Sequence, residues 1–266
     1  MLTRIMVRII SFFNQKGGVG KTTSAVNTGA YLRAFGKKVL IVDIDPQANA
    51  TSGIGVNPRK VERSTYDVLM GRSAVRDAIR KTRTGGIDVL PATADLAGAA
   101  IELVAERGRE FKLREALRAV TDDYDYIIID SPPSLGLLTL NALTASHHII
   151  IPVQCEYYSL EGLAQLMQTI EMINKNLRAD VSVLGALLTM FDRKSRLNRA
   201  VENEIRWKFP GYVFEAVIPR NIGLAEAPSH GKTIFHYDPY SHGAKAYRKL
   251  AQEIIKLEGI KKAFIA

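Results

Sequence analysis

Cysteine is almost absent from this chain of 266 residues, in which Cys155 is the single example. An intrachain disulfide and a metal site built from several cysteines of one chain are therefore excluded, and the composition fits a reducing compartment. Long apolar runs are also missing, because no segment approaches the ~20 residues that a membrane-spanning helix needs. The apolar segment 1–13 is interrupted by Arg8 and leads into a glycine-rich loop, which favours a first strand over a signal peptide.

Acidic side chains are also few in comparison with basic ones. Asp and Glu number 27 against 36 Lys and Arg, so the formal net charge is +9. Such an excess often accompanies binding to nucleic acid or to anionic lipid, and composition alone does not choose between the two. With 47% apolar residues the chain can bury a full core, and we predict one domain that spans residues 1–266.

Apolar, β-branched segments recur along the chain and predict the strands of an α/β fold. They are found at 7–13, 38–45, 87–92, 124–130, 147–153, 181–189 and 213–219. They are continuous rather than alternating, which is typical of strands buried on both faces. Helical patterns are found at 21–35, 135–144, 159–176, 197–207 and 241–258. This order predicts a doubly wound, mostly parallel sheet flanked by helices, with the helix-rich segment 58–120 as a peripheral lobe.

The glycine-rich stretch NQKGGVGKTT, residues 14–23, follows the first predicted strand and opens the first predicted helix. Its GKT at 20–22 matches the end of the phosphate-binding P-loop pattern, whose first glycine is replaced here by glutamine. Backbone N–H groups of such a loop converge on phosphate oxygens, helped by the helix dipole. Lys21 would then bridge the β- and γ-phosphates and Thr22 would bind Mg²⁺, with Thr23 placed for the α-phosphate. A glycine-rich turn without a ligand is the alternative.

Two carboxylate motifs follow later strands. The segment VDIDPQ, residues 42–47, places Asp43 and Asp45 on one face of a strand end, because strand side chains alternate. Asp130 ends the apolar strand in IIIDSPPS, residues 127–134, as the magnesium-binding carboxylate of a P-loop protein does. Ligands of open α/β sheets bind at this carboxyl edge. The alternative for each is an aspartate that only caps the following turn.

Lys16 distinguishes this loop from an ordinary P-loop. An additional ammonium would repel Lys21 unless a strongly negative group, such as a nucleoside triphosphate, lay between them. The sequence resembles the deviant Walker A ATPases, whose signature K-G-G-x-G-K-[ST] is met by Lys16, Gly17, Gly18, Val19, Gly20, Lys21 and Thr22. The resemblance implies that ATP is bound between two subunits and that Lys16 reaches the phosphates of the partner's ATP. It also implies that Asp45 orients the attacking water.

Longer segments narrow the resemblance. Residues 91–103, 132–146, 151–163 and 217–234 are similar to the chromosome-partitioning ATPases of the ParA/Soj type. The resemblance implies a cytoplasmic, nucleoid-associated switch, whose ATP-bound homodimer binds nonspecific double-stranded DNA until a ParB-like, DNA-bound activator stimulates hydrolysis. Hydrolysis without that partner is expected to be slow. The family also places base-contacting residues after the last strand, which indicates Pro219 and Asn221.

Basic residues of the second half are the candidates for DNA contact, because nonspecific binding uses positive side chains to contact phosphates. The candidates are Arg193, Lys194, Arg196, Arg199 and Arg220. A merely solvated face is the alternative for such a charge run. The sequence departs from the family pattern at Gly223, two residues after the asparagine of the motif I-P-R-N. Members of the family usually have an arginine at this position. One phosphate contact per subunit is therefore expected to be missing.

Two related functions remain open. A MinD-like, membrane-associated ATPase would end in an amphipathic anchor. The tail 259–266 is basic and apolar, but it is short and begins with Gly259, so we expect no stable membrane association. An ATPase that positions a protein cargo is the other alternative, and the glycine at position 223 favours it. The identity of the protein that stimulates hydrolysis would separate these functions.

Overall fold

A computed structural model describes residues 7–82, 85–156 and 159–263, with side chains as far as Leu257. Within these residues one sheet is formed by β1 (Arg8–Phe12), β2 (Val39–Asp43), β3 (Arg80–Lys81), β4 (Asp88–Leu90), β5 (Tyr126–Asp130), β6 (His148–Gln154) and β7 (Ser182–Thr189). The strand order is β3-β4-β2-β5-β1-β6-β7, and only β3 is antiparallel to its neighbour. The predicted doubly wound, mostly parallel α/β fold is therefore confirmed.

Helices connect most of the strands. They are α1 (Lys21–Ala34), α2 (Asn49–Gly53), α3 (Thr65–Leu69), α4 (Val75–Ala78), α5 (Leu96–Glu102), α6 (Lys112–Leu117), α7 (Leu137–Ala145), α8 (Ser159–Leu177), α9 (Arg196–Lys208), α10 (Ile222–Glu226), α11 (Ile234–Tyr237) and α12 (His242–Ala263). All five predicted helices are present, and the last is longer than predicted. The described residues of segment 58–120 form four short α-helices, four single 3-10 turns and two strands, because the two-residue β3 adds to the predicted β4.

The central strands are buried on both faces, as their continuous apolar runs predict. Val39 and Ile41 of β2 pack in one cluster with side chains of α1 and α12. Leu40 and Val42 pack in a second cluster with side chains of α5, α6 and α7. A third cluster lies around β6, β7, α8 and α9 and includes Cys155. Burial raises the pKa of this thiol to about 12.

The predicted strand at 213–219 is wrong. This segment runs parallel to β7 but forms only isolated bridges, at Val213 and at Pro219. Between them the backbone N–H of Glu215 donates to Glu253 Oε2 of α12 at 3.0 Å, so α12 takes a hydrogen bond that a further neighbouring strand would have used. The segment is apolar because it is buried against β7 and α12. Strand propensity alone does not distinguish such a buried segment from a true strand.

No helix among the described residues is long and apolar enough to cross a membrane. The tail 259–266, which the sequence raises as a membrane anchor, lies outside the residues whose side chains are described.

Candidate functional site

Three loops that follow neighbouring strands meet at the carboxyl edge of the sheet. The order β2-β5-β1 places the loop after β1 beside the ends of β5 and β2. Asp43 and Asp130 are the last residues of β2 and β5 and lie opposite each other in the parallel register. The glycine-rich loop and both carboxylate motifs therefore share one edge, where open α/β sheets bind ligands.

The loop between β1 and α1 has glycine at its two left-handed positions. Gly18 has a φ of 71° and Gly20 a φ of 87°, a region that other residues rarely adopt. A Cβ added to Gly17 or Gly18 would meet no atom of the described residues within 4 Å, so the space there can admit a ligand. Gly20 precedes α1, and no described side chain caps the N–H groups of its first turn. These N–H groups and the helix dipole form an anion site.

Two side chains from neighbouring strands support this loop. Thr189 of β7 donates its hydroxyl to Val19 O at 2.9 Å, and Gln154 of β6 donates to Gly18 O at 3.0 Å. Both acceptors are carbonyl oxygens, so these two bonds use none of the loop's N–H groups. The sequence assigned no role to either side chain, because only the strand order brings them to the loop.

Lys21 is buried in the first turn of α1, which also carries Thr22 and Thr23. Its Nζ donates to Lys16 O at 2.9 Å. Burial lowers the pKa of Lys21, while the negative charges of Asp130 and Asp45 act in the opposite direction. The ammonium therefore contacts the glycine-rich loop and lies within electrostatic reach of the carboxylates that were predicted to serve the same nucleotide.

Asp43 is fully buried, and both of its carboxylate oxygens accept hydrogen bonds. Oδ2 accepts from the backbone N and the Oγ1 of Thr51 at 2.8 and 2.7 Å, and Oδ1 accepts from Asp45 N at 3.1 Å. Burial raises the pKa of Asp43 to about 6, although these hydrogen bonds act to lower it. Asp43 thus orders the turn that carries Asp45.

Asp130 is equally buried, but neither of its carboxylate oxygens has a hydrogen-bond partner among the described residues. Burial first and the neighbouring Asp43 second raise its pKa well above the ordinary range, while the nearby Thr22 hydroxyl lowers it. A buried carboxylate without a donor is costly unless a cation satisfies it. Mg²⁺ prefers oxygen ligands and keeps several waters, so Asp130 and Thr22 fit this ion. No cluster of three or more His, Cys, Asp or Glu side chains that could hold a metal ion occurs in the described part of the chain.

Asp45 lies two residues beyond β2 and is 8% exposed. Its Oδ1 accepts a hydrogen bond from Gln47 N at 3.0 Å. One oxygen therefore belongs to the turn, as the alternative interpretation expected. The influence of Asp45 on the pKa of Lys21 places the same carboxylate within electrostatic reach of the phosphate-binding loop.

Lys16 is exposed and bound within its own chain. Its Nζ lies 2.5 Å from Glu156 Oε2, and the two side chains are 57% and 48% exposed. Its backbone N donates to Asn14 Oδ1 at 3.0 Å, while Asn14 Nδ2 donates to Pro152 O at 2.7 Å. The side chain of Lys16 is therefore directed towards the segment after β6. Glu156 had no predicted role.

A cavity of about 440 Å³ opens beside the glycine-rich loop. Gly20 and Thr23 line one side of it, and Pro219 and Asn221, the residues predicted to contact the base, line another. Other lining residues that the sequence did not indicate are Thr189, Met190, Ile218, Arg220, Ile222, Leu224, Ala225 and Tyr247. They come from the end of β7 and the residue after it, from the segment beside β7, from α10 and from α12, so only the fold brings them together. Tyr247 OH also hydrogen-bonds Ser24 Oγ at 3.0 Å, which joins α12 to α1, the helix that follows the glycine-rich loop.

The residues predicted to contact DNA divide into two groups. Arg193, Lys194 and Arg220 line a groove of about 750 Å³ between the loop after β7 and the first turns of α12. Arg196 and Arg199 are exposed on α9 and are not among its lining residues. Arg199 instead donates to Arg193 O at 3.1 Å, which steadies the loop.

Comparison with known proteins places this arrangement in a family. A family model described as an AAA domain matches residues 7–183. The Soj protein of Bacillus subtilis, a sporulation initiation inhibitor protein, is 55% identical over 249 residues, which cover 94% of this chain and 98% of the relative. The chromosome partitioning protein ParA of Myxococcus xanthus is 48% identical over 249 residues, covering 94% of this chain and 88% of the relative.

A solved structure shares the fold over almost its whole length. The crystal structure of cobyrinic acid a,c-diamide synthase from Mycobacterium smegmatis with bound ADP and magnesium has a TM-score of 0.83 and 38% identity. It covers 94% of this chain and 95% of that chain. The sequence signature, the sheet order and the relatives agree, and the chain belongs to the ParA/Soj family of chromosome-partitioning ATPases.

Proposed function

We propose that this protein is an ATP-dependent DNA-partitioning switch, for chromosome or plasmid segregation. The observation that carries the proposal is the edge of the sheet where the glycine-rich loop, Lys21 and the unpartnered carboxylate of Asp130 lie together. An open anion site beside a buried, unsatisfied carboxylate suits a nucleoside triphosphate that binds with Mg²⁺. Family membership supports the partitioning role, and so do the relatives from Bacillus subtilis and Myxococcus xanthus. Each of these two relatives has a higher sequence identity to this chain than the solved synthase has.

In this mechanism each residue of the site has a separate task. The N–H groups of residues 17–21 bind the phosphates, and Lys21 binds the oxygens of the β- and γ-phosphates. Thr22 and Asp130 would hold Mg²⁺, which would neutralise charge on the phosphates. Asp45 orients the water that attacks the γ-phosphate. Thr23, Pro219 and Asn221 bind the remainder of ATP through the α-phosphate and the base cavity.

Lys16 supplies the contact between subunits. It leaves Glu156 and binds the phosphates of the partner's ATP, so two nucleotides are enclosed in a homodimer. The exposed position of Lys16 supports this role, since a side chain that is 57% exposed can reach a second subunit without unfolding its own loop. Hydrolysis removes the γ-phosphate that both lysines bind, and the dimer separates.

The ATP-bound dimer binds nonspecific double-stranded DNA through basic side chains and so associates with the nucleoid of the cytoplasm. Arg193, Lys194 and Arg220 support this surface because they converge on one groove. A ParB-like activator bound to its own DNA site then stimulates hydrolysis and releases the dimer. Turnover without the activator is slow. The whole chain, with residues 58–120 as its peripheral lobe, acts as one ATPase domain.

The test is to measure binding to nonspecific duplex DNA with ATP, with ADP and without nucleotide, at two salt concentrations. Asp45→Ala should retain the ATP-bound state, whereas Lys16→Ala should bind ATP but fail to dimerise. Salt-sensitive DNA binding that requires ATP and Lys16 is the expected result. Dimerisation with ATP but no DNA binding in any state would contradict the proposal and favour the protein-cargo ATPase. ATP-dependent sedimentation with anionic vesicles would instead favour the membrane-associated type.

A further inference from the structure

We propose that the backbone of the bound DNA lies in the groove between the loop after β7 and α12, and that Lys245 and Lys249 of α12 are DNA-binding residues. This inference rests on the proposed function and deepens it by naming where the phosphates lie. Neither lysine was a candidate in the sequence, where α12 reads as a helix docked on the core.

Basic side chains from three separate segments converge on this groove. Arg193 and Lys194 come from the loop after β7, Arg220 follows the segment beside β7, and Lys245 and Lys249 are four residues apart on α12. All five are exposed. A charge run within one segment is commonly a solvated surface. Convergence of remote segments on one concave surface is a stronger indication of a polyanion site, because the fold concentrates their positive potential there.

Two of the three acidic residues that line the groove are paired with basic side chains, and the third accepts a backbone hydrogen bond. Glu215 lies 3.3 Å from Lys249 Nζ, and Glu202 lies 3.0 Å from Arg206 Nε, which is next to the groove on α9. The remaining lining acid, Asp192, accepts a hydrogen bond from Lys194 N at 2.9 Å. Five basic residues against three acidic ones leave the lining positive.

The groove shares a wall with the base cavity. Pro219, Arg220 and Asn221 line both the cavity and the groove. A base bound in the cavity would therefore contact the same short segment that carries Arg220 into the groove. The shared wall explains how nucleotide occupancy would affect the DNA-binding groove within one subunit, in addition to dimerisation. The long, flexible and exposed cations suit phosphates of any sequence and not the edges of particular bases.

The test compares two double variants of α12 that remove equal charge. Lys245→Ala with Lys249→Ala removes the groove residues. The control is Arg248→Ala with Lys256→Ala, since both residues are exposed on α12 but do not line the groove. Binding to duplex DNA is measured with a slowly hydrolysed ATP analogue over a range of salt, beside the unchanged protein, and dimerisation is monitored separately.

We expect the groove pair to bind DNA at least tenfold more weakly than the control pair at equal dimerisation. The slope of log affinity against log salt should become shallower by about 0.9 for each DNA phosphate that the variant no longer neutralises. A third variant, Glu215→Gln, should act in the opposite direction and tighten binding, because it removes a negative charge from the groove. Opposite effects of two substitutions in one groove are not produced by misfolding.

Two results would overturn the assignment of Lys245 and Lys249: equal DNA affinity of the groove and control pairs, or weaker binding by Glu215→Gln. If the unchanged protein still bound DNA only with ATP, the proposed function would stand. Absence of ATP-dependent DNA binding in the unchanged protein would overturn both. Binding to anionic vesicles that requires Lys245 and Lys249, without binding to DNA, would also overturn the assignment and identify a membrane surface as the polyanion.

Discussion

Lys16 and Glu156 form an ion pair within one subunit, with 2.5 Å between Nζ and Oε2. The lysine proposed to reach the partner's ATP is therefore engaged before any partner arrives. Dimerisation requires this ion pair to be exchanged for a contact with phosphate. Because both side chains are about half exposed, water screens the pair, and the exchange costs little.

Replacing Glu156 with glutamine should make the dimer form more readily. An exposed ion pair contributes up to about 1 kcal/mol, so Glu156→Gln should lower the ATP concentration needed for half-maximal dimerisation by about two- to fivefold. Size-exclusion chromatography with light scattering, at a fixed protein concentration and increasing ATP, measures this shift. The matched control is Glu171→Gln, since Glu171 is exposed on α8 and carries the same charge. Weaker dimerisation of Glu156→Gln alone would show that Glu156 serves the nucleotide or the partner directly.

Asp130→Asn should stabilise the nucleotide-free protein increasingly as pH rises. Burial and Asp43 raise the pKa of Asp130, so the folded state keeps a proton that the unfolded chain releases near pH 4. The unchanged protein therefore loses stability as pH rises through the folded pKa, whereas asparagine does not titrate. We expect a gain of about 1 to 3 kcal/mol, or roughly 2 to 10 °C in Tm, at alkaline pH.

Thermal unfolding in EDTA between pH 5 and pH 9 measures this difference. Asp43, with a pKa of about 6, interacts electrostatically with Asp130, so the substitution also alters the titration of Asp43. The difference is therefore read well above pH 6, where Asp43 is ionised in both proteins. Addition of Mg²⁺ and ATP should raise the Tm of the unchanged protein more than that of the variant. A variant that is less stable than the unchanged protein at every pH would refute the interpretation of Asp130 as an unsatisfied carboxylate.

Gly223→Arg should strengthen DNA binding, and Gly223→Ala separates the effect of charge from that of shape. An added Cβ would lie 3.2 Å from Asn221 Oδ1 and 3.3 Å from Ile234 Cδ1, so either variant must displace a neighbour slightly. We expect Gly223→Ala to change stability by less than about 1 kcal/mol, because the greater helix propensity of alanine offsets this crowding. For Gly223→Arg the salt slope should steepen by up to about 0.9 per subunit. Equal effects of both variants on DNA affinity would show that the change comes from altered packing around α10 and not from the added charge.

Gly185→Ala should be strongly destabilising, whereas Gly162→Ala should not. A Cβ on Gly185 of β7 would lie 2.8 Å from the backbone oxygen of Tyr212 and 2.9 Å from Phe214 Cε2. We expect a loss of about 1 to 3 kcal/mol from overpacking. Gly162 of α8 has open space around it, and alanine there should gain about 0.5 to 1 kcal/mol from helix propensity. Thermal unfolding compares the two, and equal stability of both variants would contradict the close approach of residues 212–214 to β7.

The sequence predicts those parts of the molecule that depend on neighbours in the chain. Glycine spacing before α1 and aspartates at strand ends are local patterns, and the parallel sheet places them at one edge. Gln154, Thr189 and Tyr247 were not predicted, because their contacts with the loop and α1 depend on strand order and on the docking of α12.

The error at 213–219 has the same origin. An apolar segment buried beside a strand and a strand itself have similar composition, and only tertiary hydrogen bonds distinguish them. Here the ladder to β7 is interrupted: Phe214 N donates to Ala186 O, but the next N–H of the segment that reaches β7 is that of Ile218, which donates to Leu188 O. The lysines of α12 were missed for a related reason, since a helix docked on the core can also present part of its surface to a groove that another segment completes.

Cys155 has a practical consequence for experiments on this protein. Common thiol-reactive dyes are electrophiles that the thiolate attacks, and a buried thiol with a pKa raised to about 12 provides almost no thiolate at neutral pH. A cysteine introduced at an exposed site, such as Glu171→Cys, can therefore carry a fluorophore while the native cysteine stays in place. Single-molecule imaging of the protein on stretched DNA then needs no cysteine-free background, and the packing around β6 and β7 is left intact.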